Sequence, residues 1–280
     1  MASGPTDPMA REAMELERGL MSSNVLSKDV AIDIRMNFVR KVYTLLTCQL
    51  LLTAAVAIPI AAIGPVLAHD RLFRITCLVI YAATLGLLSC CEVQLRTYPN
   101  NYILLGIFGV ATGLLTGMSI SWVPLHIVVV ALAMTIFIFL VLTLYACTTR
   151  ADFTGFSPYL VLFTMVLIAF GMAIAFEASV GLPIHLARHL YCAGGTLAFV
   201  GFTVVDTQLM IGEWGGRGRQ FKVDDYCYAV LSLYLDIMGL FRFILHWVRT
   251  SEAFQENGCN SNDWECGSCG SCGDMDGGGD

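Results

Sequence analysis

Charged residues are scarce in this sequence. Asp, Glu, Lys and Arg together make up 14% of its 280 residues, whereas about 25% is typical of soluble domains. Hydrophobic residues account for 56% of the chain. This composition excludes an ordinary water-soluble domain and predicts a polytopic membrane protein.

Basic residues are missing from the end of the chain. No Lys or Arg follows Arg249, whereas seven acids do, and the net charge of the whole chain is −6. The rest of the chain is therefore nearly neutral, and no basic surface of the kind that binds nucleic acid is indicated. Gly, Ser and Asp around the tail's cysteines cannot build a core, so we predict that the acidic Cys- and Gly-rich tail, residues 251–280, is disordered.

The pattern of a signal peptide is also missing. The first thirty residues contain no unbroken apolar segment, and Glu12, Glu15 and Glu17 lie where that segment would fall. The same acids argue against a mitochondrial presequence. We therefore predict a polar cytosolic segment over residues 1–30, with the first transmembrane helix acting as the targeting signal.

Long apolar runs dominate residues 31–250, the predicted membrane domain. Crossing the hydrocarbon core takes about 20 apolar residues. The candidate spans are 44–66, 73–93, 102–120, 124–147, 158–178, 190–212 and 227–248. On the third span, glycines three or four residues apart predict a face for close helix contact, and these are Gly106, Gly109, Gly113 and Gly117. The predicted fold is all-α, a bundle of seven transmembrane helices.

The basic residues of the short loops predict the orientation of the bundle. With a cytosolic N-terminus, eight Lys and Arg residues fall on the inside and four on the outside. This bias favours a cytosolic N-terminus. It does not decide between seven spans, with the tail outside the cytosol, and six spans with a re-entrant last segment and a cytosolic tail.

Two carboxylates interrupt the last two spans. Asp206 lies within GFTVVDTQLMIG, and Asp236 lies within VLSLYLDIMGLF. A charge at membrane depth costs a few kcal/mol or more, so it is normally paired and functional. The two spans are antiparallel, and each acid lies about 9 to 14 Å from the same end of the bundle. Arg96 precedes the third span at that end, so two acids and one base are expected to converge there.

Five segments of the chain resemble the transmembrane Bax inhibitor motif family, which includes Bax inhibitor-1 and the lifeguard proteins, and the chain is closer to the lifeguard branch. The segments are RMNFVRKVYTLLTCQL, LRTYPNNYILLGIFGVATGLLTG, LTLYACTTRADFTGF, FTVVDTQLMIGEWG and DDYCYAVLSLYLDIMGLFRFIL. The resemblance implies a seven-helix bundle with the last helix in the centre. It also implies a pH-sensing pair of aspartates that binds or gates calcium, which by motif match is Asp206 and Asp236. An arginine that latches the closed state corresponds in position to Arg96.

The chemistry of two close carboxylates fits this implication. In a low dielectric they cannot both ionise cheaply, so they share a proton and titrate as a unit. Calcium prefers several oxygen ligands, of which two carboxylates supply a part and backbone carbonyls and water would supply the rest. An arginine nearby favours the ionised form and can hold one carboxylate in place. The alternative is that the two acids only join helices.

The function predicted on this basis is a pH-sensitive calcium leak channel of internal membranes, the endoplasmic reticulum or Golgi, that regulates stored calcium and restrains apoptosis. The alternative is a membrane interaction protein that inhibits cell death by binding apoptotic regulators or receptors without conducting ions. Enzyme activity is not predicted, because the second aspartate lies in YLDIMG and no GxGD motif of the intramembrane aspartyl proteases occurs. The expected partners are membrane lipid and apoptosis-regulating membrane proteins, and calcium is expected without an organic cofactor.

Three further acids are secondary candidates for the ion site. Glu92 precedes Arg96 by four residues, which is also the spacing of an ordinary helical ion pair. Asp152 lies in TTRADFT and could instead cap a helix. Glu177 lies at the end of the fifth span. A charged side chain at the membrane interface stays solvated there, so its position costs little free energy.

The tail contains a second candidate site. Cys266, Cys269 and Cys272 follow one another in CGSCGSC. This spacing could bind a soft metal, carry lipid or form disulfides, and a passive tail is the fourth interpretation.

Arg242 lies six residues beyond Asp236, so a helix turns it away from that acid, and it is expected to pair elsewhere or to extend toward the interface.

Overall fold

The computed structural model describes residues 8–67, 71–90, 99–180, 185–212, 221 and 225–258. These residues form seven α-helices and one short 3-10 turn, with no β-strand among them. The helices are α1 Pro8–Leu67, α2 Arg71–Cys90, α3 Asn100–Ile120, α4 Leu125–Thr148, α5 Ser157–Val180, α6 His185–Ile211 and α7 Tyr226–Gly258, and the turn Thr154–Phe156 precedes α5. The predicted all-α fold is confirmed.

Six segments of the described chain are long and apolar enough to cross a membrane. They are Ile32–Ile63, Asn100–Ile120, Leu125–Thr148, Thr154–Ile174, Leu186–Ile211 and Tyr226–Ser251. Helix α2 has a shorter described apolar segment, Ile75–Gly86. The prediction of a polytopic membrane protein is therefore confirmed, and the second predicted span is the weakest of the seven.

The helices differ in how far the protein encloses them. In the most apolar stretch of Thr154–Ile174, only 6% of the residues are buried. In the corresponding stretch of Tyr226–Ser251, 61% are buried. Helix α5 accordingly exposes large apolar side chains such as Leu162 and Met172, which face lipid in a membrane protein. Helix α7 makes its main contacts with α1, α3, α4 and α6. It is therefore the central helix of the bundle.

Glycines bring α3 close to α1. A Cβ at Gly117 would lie 2.8 Å from the carbonyl oxygen of Ala57, and one at Gly113 would lie 3.0 Å from that of Thr53. At Gly109 the neighbours are side chains, and at Gly106 nothing lies within 4 Å. The predicted close face is thus confirmed at three glycines and wrong at Gly106, where a Cβ would meet open space.

A buried tyrosine fixes the rotation of α7. The Tyr234 hydroxyl lies 2.6 Å from Thr53 Oγ1 of α1, and its ring meets Phe108 of α3 edge to face at a centroid distance of 5.9 Å. A fully buried tyrosine needs a partner for its hydroxyl, so this contact orients the helix. Two residues further on, about 200° around the helix axis, Asp236 lies on the side away from Tyr234.

Two helices extend beyond their predicted limits. Helix α1 begins at Pro8, so residues 8–30 of the predicted polar segment are helical and continuous with the first span. This stretch is rich in Ala, Leu, Glu and Arg, which are strong helix formers. Helix α7 runs to Gly258, beyond the expected start of the tail at residue 251.

Candidate functional site

Helices α6 and α7 place two acids in one region. The helices pack against each other, with Asp206 half-buried on α6 and Asp236 only 3% exposed on α7. Ser232, one helical turn before Asp236, donates a hydrogen bond from its hydroxyl to Asp206 Oδ2 at 2.5 Å. Because Asp236 follows Ser232 by one turn of the same helix, this bond places Asp206 beside the part of α7 that carries Asp236. The structure thus brings Asp206 and Asp236 together inside the bundle.

Asp236 has an unusual environment for an acid. Its Oδ2 atom is buried and has no hydrogen-bond partner among the described residues. A buried polar atom without a partner destabilises the folded state by about 1–3 kcal/mol. Acids inside membrane segments are rare, and they mark ion pathways and proton relays. The arrangement can therefore accept a proton or a cation.

A buried glutamine near the end of α6 was missed by the sequence analysis. Gln208 is fully buried, and its Oε1 atom accepts a hydrogen bond from the Phe153 amide at 2.8 Å. Its Nε2 atom donates to the Ala151 carbonyl at 2.9 Å. The side chain therefore fastens the connection between α4 and α5 to α6, two residues from Asp206. A signal was present, because this polar residue stands in the apolar run VVDTQLM.

Asp152 lies on the connection that Gln208 holds. It is exposed, and its Oδ1 atom accepts hydrogen bonds from the Thr154 amide at 2.9 Å and from the Thr154 hydroxyl at 2.7 Å. An Asp oxygen that accepts from an amide two residues later closes a turn of the backbone. The contact is therefore an Asx turn that leads into Thr154–Phe156, whose N-cap residue is Phe153 and has no side-chain cap.

An arginine of α1 holds the end of α6. Arg35 is 6% exposed and donates from Nη2 to the Leu209 carbonyl and from Nη1 to the Phe221 carbonyl, both at 2.7 Å. Gly212 has φ of 59°, a left-handed conformation that favours glycine at the end of a helix. The end of α6 that carries Asp206 is thereby joined to the start of the chain's first span.

Arg242 contacts a different helix from the acids. Its Nη1 atom lies 3.5 Å from the Tyr81 hydroxyl of α2, and its guanidinium lies 5.1 Å from the centre of the Tyr81 ring. The cation is thus stabilised by an aromatic face. The expectation that Arg242 pairs away from Asp236 is confirmed.

Several predicted site residues lie outside the described residues. They are the proposed latch Arg96, the secondary candidate Glu92, and the tail residues Cys266, Cys269 and Cys272. Glu177 falls in the last turn of α5. Within the part of the chain that the structure describes, no three His, Cys, Asp or Glu residues form a group that could hold a metal ion.

The fold and the two acids define a class: a polytopic helical membrane protein with carboxylates enclosed between its last two helices. A family model described as "Inhibitor of apoptosis-promoting Bax1" matches residues 35–253. The chain belongs to this family. The matched range starts in α1 and includes the later spans as well as both acids.

Known relatives agree with this assignment. Protein lifeguard 3 of Homo sapiens is 31% identical over 215 residues, which are 76% of this chain and 68% of the relative. Protein lifeguard 3 of Mus musculus is 30% identical over 218 residues, covering 77% and 69% respectively. Protein LIFEGUARD 3 of Arabidopsis thaliana is 30% identical over 224 residues, covering 78% and 86%. The resemblance predicted from the five segments is confirmed, and family membership implies an anti-apoptotic membrane protein.

Proposed function

We propose that this protein is a pH-sensitive calcium leak channel of internal membranes, the endoplasmic reticulum or Golgi, that lowers stored calcium and thereby restrains apoptosis. The enclosed pair of Asp206 and Asp236 is the observation that carries the proposal. Membership of an apoptosis-inhibiting family supports the link to cell death. We propose no enzymatic activity.

The donor set of the pair suits a hard cation. Carboxylate oxygens are the ligands that calcium prefers, and the ion takes about 6–8 oxygens in all. Asp206 and Asp236 would supply a part of that shell, and water and backbone carbonyls would complete it. The buried Oδ2 atom of Asp236, without a hydrogen-bond partner among the described residues, supports this role.

The same pair would sense pH. Two carboxyl groups that interact in a low dielectric exchange protons as a unit, so acidification changes the charge that the passing ion meets. Arg96 would latch the closed state by binding the ionised Asp206, and its release would open the pathway. With the N-terminus in the cytosol, the pair and the latch would lie near the cytosolic third of the bundle.

Calcium flux in liposomes that contain only the purified protein tests this function. Calcium entry into the liposomes is followed with a trapped fluorescent indicator. It is measured at a series of pH values for the wild type, Asp206→Asn and Asp236→Asn. We expect pH-dependent flux from the wild type and an altered pH dependence from each variant, because an amide cannot take up the proton and only one titratable carboxyl of the pair then remains. Asp33→Asn, a change at an exposed acid of α1, should keep the wild-type profile.

Two results would contradict the proposal in different ways. A wild-type pH profile in Asp206→Asn or Asp236→Asn would show that the pair is not the sensor. A complete lack of flux through the folded wild-type protein would exclude the channel and favour the alternative, a membrane protein that acts by binding death regulators.

The latch has a separate test. Arg96→Gln should leak calcium at pH values where the wild type is closed, because no cation then holds Asp206, and Arg96→Lys should restore part of the closure. If calcium flux through Arg96→Gln follows the wild-type pH curve, Arg96 is not the latch. The proposal that Asp206 and Asp236 sense pH would be unaffected by that result.

A further inference from the structure

Basic side chains gather at the end of the α6 and α7 pair that is remote from the acids. Because the helices are antiparallel, the start of α6 lies beside the end of α7. The rings of His189 and Trp247 meet edge to face with centroids 6.1 Å apart. Arg188 directly precedes His189 on α6, and His246 and Arg249 flank Trp247 on α7. These four residues, Arg188, His189, His246 and Arg249, are called the basic patch below.

An apolar groove of about 330 Å³ adjoins the basic patch. Helices α4, α6 and α7 all contribute to it, and its walls include Met134, Ile138, Leu197, Val200, Ile244 and Trp247. Trp247 thus belongs to the groove and also contacts His189 of the patch. Tryptophan is enriched at the membrane interface, where its ring meets both apolar and polar surroundings.

The basic patch lies at the level of lipid headgroups, and the groove lies at the level of their acyl chains. Arg188 is the third residue of the span Leu186–Ile211, and Arg249 is the third from last of the span Tyr226–Ser251, so both lie at the hydrocarbon boundary. From Ala193 to Val200 the groove extends for about 10 Å along α6 toward the membrane centre. A headgroup at the patch would therefore place an acyl chain beside the groove.

We propose that the basic patch and the groove together bind one anionic phospholipid, with its phosphate against Arg188 and Arg249 and an acyl chain in the groove. Charge complementarity identifies the occupant, because the two guanidinium groups of Arg188 and Arg249 attract an anion and repel the cationic end of a zwitterionic headgroup. Guanidinium groups also bind phosphate through paired hydrogen bonds. The inference is independent of the calcium function.

Native mass spectrometry of the full chain in detergent tests the selectivity. Phosphatidylglycerol and phosphatidylcholine with identical acyl chains compete for the purified protein. A basic residue near a membrane surface strengthens the binding of anionic lipid about fivefold, so the wild type should retain phosphatidylglycerol preferentially. The double variant Arg188→Gln/Arg249→Gln should lose that preference by about tenfold or more.

Two control variants separate charge from folding. Arg188→Lys/Arg249→Lys keeps the charge and should keep most of the preference. Arg150→Gln removes an exposed arginine that follows α4, at the opposite end of the bundle, and should leave the preference unchanged. Equal retention of the two lipids by the wild type, or an unchanged preference in the Gln double variant, would overturn the proposal.

The groove is tested on its own. Ala193→Phe fills the groove and should lower the retention of phosphatidylglycerol, and excess inorganic phosphate should not displace the lipid from the wild type, because the acyl chain holds it. Full displacement by phosphate would show a site for a free anion, and unchanged retention in Ala193→Phe would show that the groove takes no acyl chain. Either result contradicts the lipid site.

Discussion

The two ends of the α6 and α7 pair carry opposite charges in opposite surroundings. At one end Asp206 and Asp236 lie within the bundle, with Ser232 bonded to the first of them. At the other end Arg249 is exposed and Arg188 is half-buried at the membrane boundary. The basic side chains can reach headgroups and water, whereas the acids are enclosed between helices. Enclosure therefore distinguishes the proposed gating site from the proposed lipid site.

The largest expected effect comes from neutralising the acids of one end. A second variant, in which the arginines of the other end are neutralised, is measured in parallel. Asp206→Asn/Asp236→Asn should abolish the pH dependence of calcium flux in liposomes, because no proton-binding group remains in the pair. Arg188→Gln/Arg249→Gln should keep the wild-type profile in the same lipid. Loss of pH dependence in the arginine variant would show that the two ends do not act separately.

A smaller effect is expected from the glutamine that holds the enclosed end. Gln208→Leu leaves the Phe153 amide and the Ala151 carbonyl without this partner, which should lower the free energy of unfolding by about 2–4 kcal/mol. Thermal unfolding in detergent measures the change. Leu190→Met, at a lipid-facing position of the same helix that is 58% exposed, is the matched control. Equal stability of Gln208→Leu and the control would show that this contact does not hold α6.

Removal of one hydroxyl should have a still smaller effect. Ser232→Ala deletes the hydrogen bond to Asp206 and should lower the free energy of unfolding by about 1 kcal/mol. The pH dependence of the flux should persist with a displaced midpoint, because both acids remain. A flat profile in this variant would mean that Ser232, and not the acid pair alone, is required for the response.

The smallest change is expected at the open end. Arg249→Gln replaces an exposed side chain and should alter the free energy of unfolding by less than about 0.5 kcal/mol. Chemical or thermal unfolding of the purified protein gives the value. A loss as large as that expected for Gln208→Leu would show that the basic end is held as firmly as the acid end, and the contrast between the ends would fail.

Much of the helix layout could be predicted from apolar run length alone. The predicted span 102–120 corresponds to α3 Asn100–Ile120, and the predicted span 124–147 corresponds to α4 Leu125–Thr148. The reason is physical, since a run of apolar residues as long as the hydrocarbon is thick has few alternatives to a helix. The location of Asp206 and Asp236 at similar depths was accessible for the same reason, because depth follows from position along each span.

Contacts between distant segments could not be predicted in this way. Gln208 bonds to residues 55 and 57 positions away, and Arg35 bonds to Leu209 at a separation of 174. Hydrophobic periodicity indicates which face of a helix is buried, but it does not identify the polar atom that meets a given side chain. The error at Gly106 has a similar origin, because glycine spacing predicts a close face but does not identify which glycine a neighbouring helix approaches.

The bond from α1 to the carbonyls of Leu209 and Phe221 has a practical consequence for shortened versions of this protein. Arg35 is also the residue at which the family match begins. A version that starts at residue 44, where the predicted first span begins, would keep the later helices but remove the first part of the Ile32–Ile63 segment together with this cation. The end of the sixth helix would then lose its bond to α1, so deletion mapping should keep residue 35 and should not begin at the onset of hydrophobicity.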